Sequence, residues 1–192
     1  MRFLRLALVL AIASQAFAEL DPDKGVFLVA KPKIDGGPFA HSVVLILAHG
    51  DSGTLGVIVN RASDVPLEDA LPELKSERKP GHSLHFGGPV GLDGLLFLFK
   101  SDEPIEDADQ VMDHVYYSGG RNVLESLLDE GKGPEELRVY LGHAGWAPGQ
   151  LRDEIARGDW DLVRADAFTV FSKDPKTLWL ELSPSSRTTA DL

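Results

Sequence analysis

Apolar positions in this chain fall into short runs cut by glycine, proline and acidic residues. Residues 25–30 (GVFLVA) predict a strand, stopped by Pro32. Residues 42–48 (SVVLILA) form an unbroken apolar run rich in β-branched side chains, the pattern of a strand buried on both faces. The tight connection at 49–53 (HGDSG) leads into another run at 54–59 (TLGVIV), so the two predict a hairpin, with Gly56 permitting a close backbone approach. Leu67, Leu71 and Leu74 stand at helical spacing within residues 64–74, and Pro72 limits that helix. Further strands are predicted at 83–86 and 95–99, joined through Gly87-Gly88-Pro89 and Gly91, and at 115–117, 137–141 and 168–171. Residues 122–130 predict a helix closed by Gly131. Residues 148–157 predict another, with Pro148 in its first turn and Gly158 as its stop. Asp174 is a good N-cap for a last helix with Pro175 at its first position, and the polar tail from Ser183 predicts loose chain. Several strands alternating with a few short helices, with no internal repeat and no linker, predict one α+β domain built on a mostly antiparallel sheet or barrel.

The first 18 residues follow a different logic. Arg2 and Arg5 precede an apolar run from Leu6 to Ala13, and Ala16-Phe17-Ala18 places small residues where a signal peptidase reads. The run is far short of the roughly 20 residues that span a bilayer. The pattern predicts a signal peptide at 1–18, a mature domain at 19–192, a periplasmic or secreted location, and no stable membrane span after cleavage.

Composition narrows the chemistry. The 192 residues carry 19 basic and 30 acidic side chains, a net charge of −11; cleavage removes two arginines and no acid, taking it two units further down. That balance argues against direct nucleic-acid binding, which needs Lys and Arg to displace counterions. The absence of cysteine excludes disulfides, thiolate zinc sites and a cysteine nucleophile.

Few motifs point to catalysis. Residues 50–56 (GDSGTLG) lack the Lys-Ser/Thr of a phosphate-cradling loop and precede a strand, not a helix. His82 and His85 are three apart on a predicted strand and so face opposite ways, which disfavours a shared metal. No Gly-x-Ser-x-Gly elbow is present. No catalytic residue, metal site or cofactor is assigned on these grounds. The most unusual segment is residues 141–151 (LGHAGWAPGQL), where glycines, a histidine and a tryptophan sit between a strand and a helix start. Small residues allow close approach, a helix start offers free N–H groups, and an indole offers a flat face. The candidate ligand-binding set is Asn60, Gly87, Gly88, Pro89, His143, Gly145, Trp146 and Gln150, expected to converge on one cleft with the strand after His49.

These blocks together resemble the YqgE/AlgH family: residues 25–30, 39–44 (FAHSVV), 53–60 (GTLGVIVN), 87–90 (GGPV) and 142–151, followed by Glu154-Ile155 and Gly158-Asp159-Trp160. The resemblance runs from Gly25 to about Trp179. It implies an α+β fold with a barrel-like sheet flanked by short helices, and no enzymatic activity that carries over. One branch of the family is described as regulating alginate production, and members are often labelled putative transcriptional regulators. Two departures stand out. Members usually look cytoplasmic, whereas this chain has an export signal, and position 143, commonly Tyr in the family, is His. The leading expectation is an exported, non-enzymatic regulatory protein binding an unknown small ligand or protein partner. The alternatives are a cytoplasmic transcriptional regulator of the AlgH type and an uncharacterised hydrolase using His49 or His143.

Overall fold

The computed structural model describes residues 20–74 and 81–183, so the segment read as a signal peptide and the tail beyond Ser183 lie outside the described residues. The chain folds as β1 (Val26–Ala30), β2 (Val43–Gly50), β3 (Gly53–Ile58), β4 (Ala62–Pro66), α1 (Leu67–Ala70), β5 (Ser83–Phe86), β6 (Val90–Lys100), β7 (Asp109–Met112), β8 (Val115–Ser118), α2 (Arg121–Asp129), β9 (Leu137–Trp146), α3 (Gln150–Ala156), β10 (Trp160–Arg164), α4 (Ala167–Ser172) and α5 (Pro175–Leu182). The result is a mostly antiparallel ten-stranded sheet with a few short helices in one α+β domain. Its main path runs β10-β1-β2-β3-β9-β6-β8-β7. The sheet is not closed: Val111 of β7 shares an apolar cluster with Phe27 and Val29 of β1, yet among the described residues no ladder joins the two ends of the path.

The continuous apolar runs have the expected consequence. In β1 and β2, Phe27, Val29, Val43, Leu45 and Leu47 point into one core cluster, while Val26, Leu28, Ala30, Val44 and Ile46 point into another on the opposite face. Alternate side chains of a strand leave by opposite faces, so only a central strand can bury every one of them. The β2–β3 hairpin forms with Gly50 opposite Gly53 and a bulge between Ile46 and Ala48.

β9 organises the sheet. One edge pairs with β6 over most of its length, and the other pairs with β5 in parallel at Val139–Leu141 and then with β3 at Ala144–Trp146. Gly142 stands where the partner changes, at φ +67, a left-handed conformation that a side chain would strain. Gly87 closes the gap between the two partners: its N–H donates to Leu141 and its carbonyl accepts from Ile58, both at 2.8 Å.

Several expectations change. Residues 142–146 are strand, not loop, because β6 and β3 supply partners for their backbone groups. Residues 168–171 are helix, not strand. Asp166 caps α4 by accepting from the Thr169 N–H (2.8 Å) and hydroxyl (2.7 Å), and this local bonding overrides the β preference of Phe-Thr-Val-Phe. α3 starts at Gln150 behind Gly149, so Pro148 lies outside its first turn. Of the helix expected at 64–74 only the four-residue α1 forms, since residues 62–66 pair with β5. β7 is only four residues long with polar Asp109 and Gln110 at its start, and β10 carries Asp161 and Arg164, so neither stands out as a strand; β10 nonetheless pairs with β1 through all five of its residues, with Asp161 bound to Lys31 at 3.1 Å. Among the described residues no helix is long and apolar enough to cross a membrane.

Candidate functional site

A groove of about 460 Å3 lies over the β2–β3 turn and the end of β9, lined by His49, Thr54, Leu55, Val90, His143, Gly145 and Trp146 together with Ala48, Gly50, Ser52 and Gly53. Register explains the assembly. His49 faces Thr54 across the hairpin, and Thr54 faces Trp146 across the β3–β9 ladder, so the three stand in one row on neighbouring strands. His49 Nδ1 and the Thr54 hydroxyl share a hydrogen bond of 2.7 Å. His143 lies opposite Val90 of β6, on the far side of β9 from the hairpin. Val90 is 44% exposed, and Leu92 beyond it 53%, so the groove has an apolar shoulder.

Trp146 is fixed from behind. It is only 5% exposed, and its indole N–H donates to Glu154 Oε2 at 2.8 Å. Trp160 donates to the same oxygen at 2.9 Å, while Glu154 Oε1 accepts from the Gln150 amide at 3.0 Å. Phe39 packs against both indoles, with centroids 5.9 and 5.8 Å away. The Gln150 side-chain oxygen also accepts from the Ala147 N–H, so Gln150 holds the β9–α3 corner.

The expected convergence is therefore partial. His143, Gly145 and Trp146 line one groove with the chain after His49. Gly87 and Gly88 are buried behind it: a Cβ on Gly88 would stand 2.2 Å from the His143 carbonyl carbon, so the turn packs against the β9 backbone and does not form the groove wall. Pro89 is exposed beside it. Asn60 is elsewhere. Its Oδ1 accepts from the Val43 N–H (2.8 Å) and its Nδ2 donates to the His41 carbonyl (3.0 Å), at the rim of a separate cleft lined by His41, Arg61, Lys176 and Trp179. The helix begins two residues after Pro148, and the Gln150 N–H at its start already donates to the Ala147 carbonyl. Of the groove residues outside the expected set, His49 and Thr54 are the two whose side chains bond to each other. Their flanking of a two-residue hairpin turn is the signal that would have paired them.

The strongest electrostatic perturbation is on β5 and β9. Burial, with Arg138 nearby, pushes the His85 imidazole down to about 4. Its ring packs 5.3 Å from that of Tyr140, whose phenol burial pushes up. His82 instead donates to the Lys132 carbonyl at 2.9 Å. No group of three or more His, Asp or Glu residues suited to a metal ion occurs among the described residues.

The family model described as AlgH-like (DUF179) matches residues 27–187. The chain belongs to the AlgH-like family. Among its relatives, a UPF0301 protein of Methylococcus capsulatus is 41% identical over 161 residues, covering 82% of this chain and 87% of the relative. A UPF0301 protein of Azoarcus is 34% identical over 154 residues, covering 78% and 81%. Two solved structures are similar over most of the chain. A crystal structure of a Corynebacterium diphtheriae protein gives a TM-score of 0.70 at 26% identity, covering 87% of this chain and 88% of that one. The solution structure of the AlgH protein from Pseudomonas aeruginosa gives 0.64 at 29% identity, covering 88% and 86%. The family names carry no reaction and no ligand.

Proposed function

We propose that this AlgH-like protein is an exported, non-enzymatic binding protein with a regulatory role, and that it takes a small ligand or a peptide of a partner in the groove between the β2–β3 turn and the end of β9. The observation that carries the reading is the groove's make-up. Two imidazoles and a hydroxyl stand beside an apolar shoulder, and Gly145 keeps the floor low. Such a mixture of apolar wall and a few polar contacts is how small sites hold and orient a guest. Export is supported by the charged, apolar and small-residue layout of residues 1–18, which lies upstream of the matched family region. An exported protein of this charge would act on regulation through a ligand or a protein, not by touching DNA.

Gly145→Val tests the groove. A Cβ there would meet nothing nearer than the His143 ring at 3.8 Å, and Gly145 is exposed with an ordinary backbone conformation, so the valine fits the strand while filling the floor. Wild type and variant are purified from the native host's envelope and examined by native mass spectrometry and cross-linking. A co-purified mass or cross-linked partner present with wild type and lost with Gly145→Val, at unchanged melting temperature, is the expected result. Equal capture by both proteins overturns the groove reading, and a protein found in the cytoplasm with Met1 or Arg2 at its N-terminus overturns export.

A further inference from the structure

The cleft that holds Asn60 is larger than the groove, about 660 Å3, and its lining is unlike the rest of this acidic molecule. It is bounded by Gly37, Ala40 and His41 on one side, by Asn60 and Arg61 at the end of β3, and by Pro175, Lys176, Trp179 and Leu180 of α5. Acids outnumber bases 30 to 19 in the chain, yet no Asp or Glu lines this cleft while Arg61, Lys176 and His41 do. Six of the other eleven described bases pair with a carboxylate. Lys31, Lys33, Arg121, Arg157 and Lys173 each sit on a carboxylate within 3.1 Å. Neither Arg61 nor Lys176 makes such a pair among the described residues. Asp174, the N-cap of α5, and Glu181 within it are engaged. Asp174 accepts from the Lys176 backbone N–H, and Glu181 holds Lys173 and the Thr177 hydroxyl.

The cleft is also built. Arg61 Nη2 donates to the Ala40 carbonyl and Asn60 Nδ2 to the His41 carbonyl, which ties the 37–41 loop to the end of β3. His41 is held at φ +54, an uncommon conformation for a residue with a Cβ, and its ring packs against that of Trp179 with centroids 4.3 Å apart and planes tilted by 59°. Trp179 in turn is anchored by its indole N–H on the Ala30 carbonyl at 2.6 Å. A guanidinium pinned by one nitrogen keeps its other N–H groups for a second acceptor. Leu180, 54% exposed, adds an apolar surface beside the indole.

We propose that this second cleft is an anion site, taking a carboxylate or phosphate carried on a flat apolar group. Arg61 and Lys176 hold the oxygens, and Trp179 and Leu180 pack the apolar part. Guanidinium groups bind either oxyanion in a fork. The site is independent of the groove by His143, and its failure leaves that reading untouched.

The test is an NMR titration of the 15N-labelled protein, which has three indole N–H signals, with benzoate, phenyl phosphate, inorganic phosphate and neutral benzyl alcohol as probes. Benzoate, phenyl phosphate or both should shift the Trp179 indole saturably below about 10 mM, the benzyl alcohol far less, and added salt should weaken the effect. Preference for one of the two aromatic anions tells a carboxylate guest from a phosphate one. Arg61→Gln should weaken binding about tenfold, and Lys176→Gln, on an exposed position that leaves the fold alone, about threefold. The proposal is overturned by no saturable shift with either aromatic anion, by binding as tight for benzyl alcohol as for the anions, by affinity unchanged in Lys176→Gln, or by shifts confined to Trp146 and Trp160.

Discussion

Removing one carboxylate should loosen the whole corner that carries Trp146. Glu154 Oε2 accepts both indole N–H groups, from Trp146 at 2.8 Å and Trp160 at 2.9 Å, and these rings are 5% and 4% exposed. The two rings meet edge to face at 6.0 Å, with Phe39 against each, so neither can swing its N–H to water without unpacking the cluster. Glu154→Ala therefore strands two buried donors. Each costs about 1–3 kcal/mol, and part is returned when the carboxylate is no longer held away from water. The net loss should be about 3 kcal/mol, or about 6–12 °C in melting temperature for a domain of this size. Glu154→Gln keeps one oxygen for the two indoles and should cost only about 1 kcal/mol. A cycle with Trp160→Phe isolates the bond. If the N–H to carboxylate contact carries the effect, the double variant should lose about 1 kcal/mol less than the two single losses combined. Urea denaturation followed by tryptophan fluorescence measures all four proteins. A loss under about 0.5 kcal/mol for Glu154→Ala, or strict additivity in the cycle, would refute the reasoning, because packing alone would then be holding the corner.

The other perturbations separate structure from binding. Asn60→Ala loses a bond to the Val43 N–H and another to the His41 carbonyl and should lower stability by about 2 kcal/mol in the same urea assay, with capture by the groove near His143 unchanged. His85 gives a pH signature. Its folded pKa of about 4 lies below the ordinary 6.5, so between these values the unfolded chain binds the proton and the folded one does not. Stability should be constant above about pH 6.5 and fall by about 2–3 kcal/mol as the pH drops to about 4, and His85→Gln should flatten that slope. An unchanged slope in His85→Gln would assign the acid sensitivity to other groups.

Much of the sheet was legible because its centre is apolar on both faces. The unbroken run at residues 42–48, rich in β-branched side chains, suits a strand covered on both faces, and the hairpin follows from the short turn at 49–53. α2 and α5 were legible through their ends, Gly131 at φ +83 and Asp174 capping the Lys176 N–H. What stayed hidden depends on partners distant in sequence. β10 has Asp161, Val163 and Arg164 in a pattern that reads as surface until β1 supplies its ladder. The 168–171 segment has the composition of a strand, and only the Asp166–Thr169 capping bonds make it a helix. Such bonds compete with propensity on equal energetic terms, so local composition alone could not decide between them.

The candidate site was legible in the same uneven way, and the reason lies in what glycine reports. Glycine marks places where backbone comes close, but close approach to a ligand and close approach to another strand leave the same trace in a sequence. Gly88 and Gly142 proved to be the second kind. A Cβ on Gly88 would reach 2.2 Å from His143, and Gly142 turns β9 from one partner to the next. Gly145, three residues along the same strand, has room for a Cβ, which would meet only the His143 ring at 3.8 Å, and it borders the groove. The distinction rests on strand register, which depends on pairings spread across more than a hundred residues of chain. Asn60 makes the same point for polar groups. Its amide can donate and accept, which is why it suggested a ligand, yet both functions are spent on backbone groups nearly twenty residues upstream. The neighbouring Arg61, less conspicuous in the sequence, is the one left with donors facing open space.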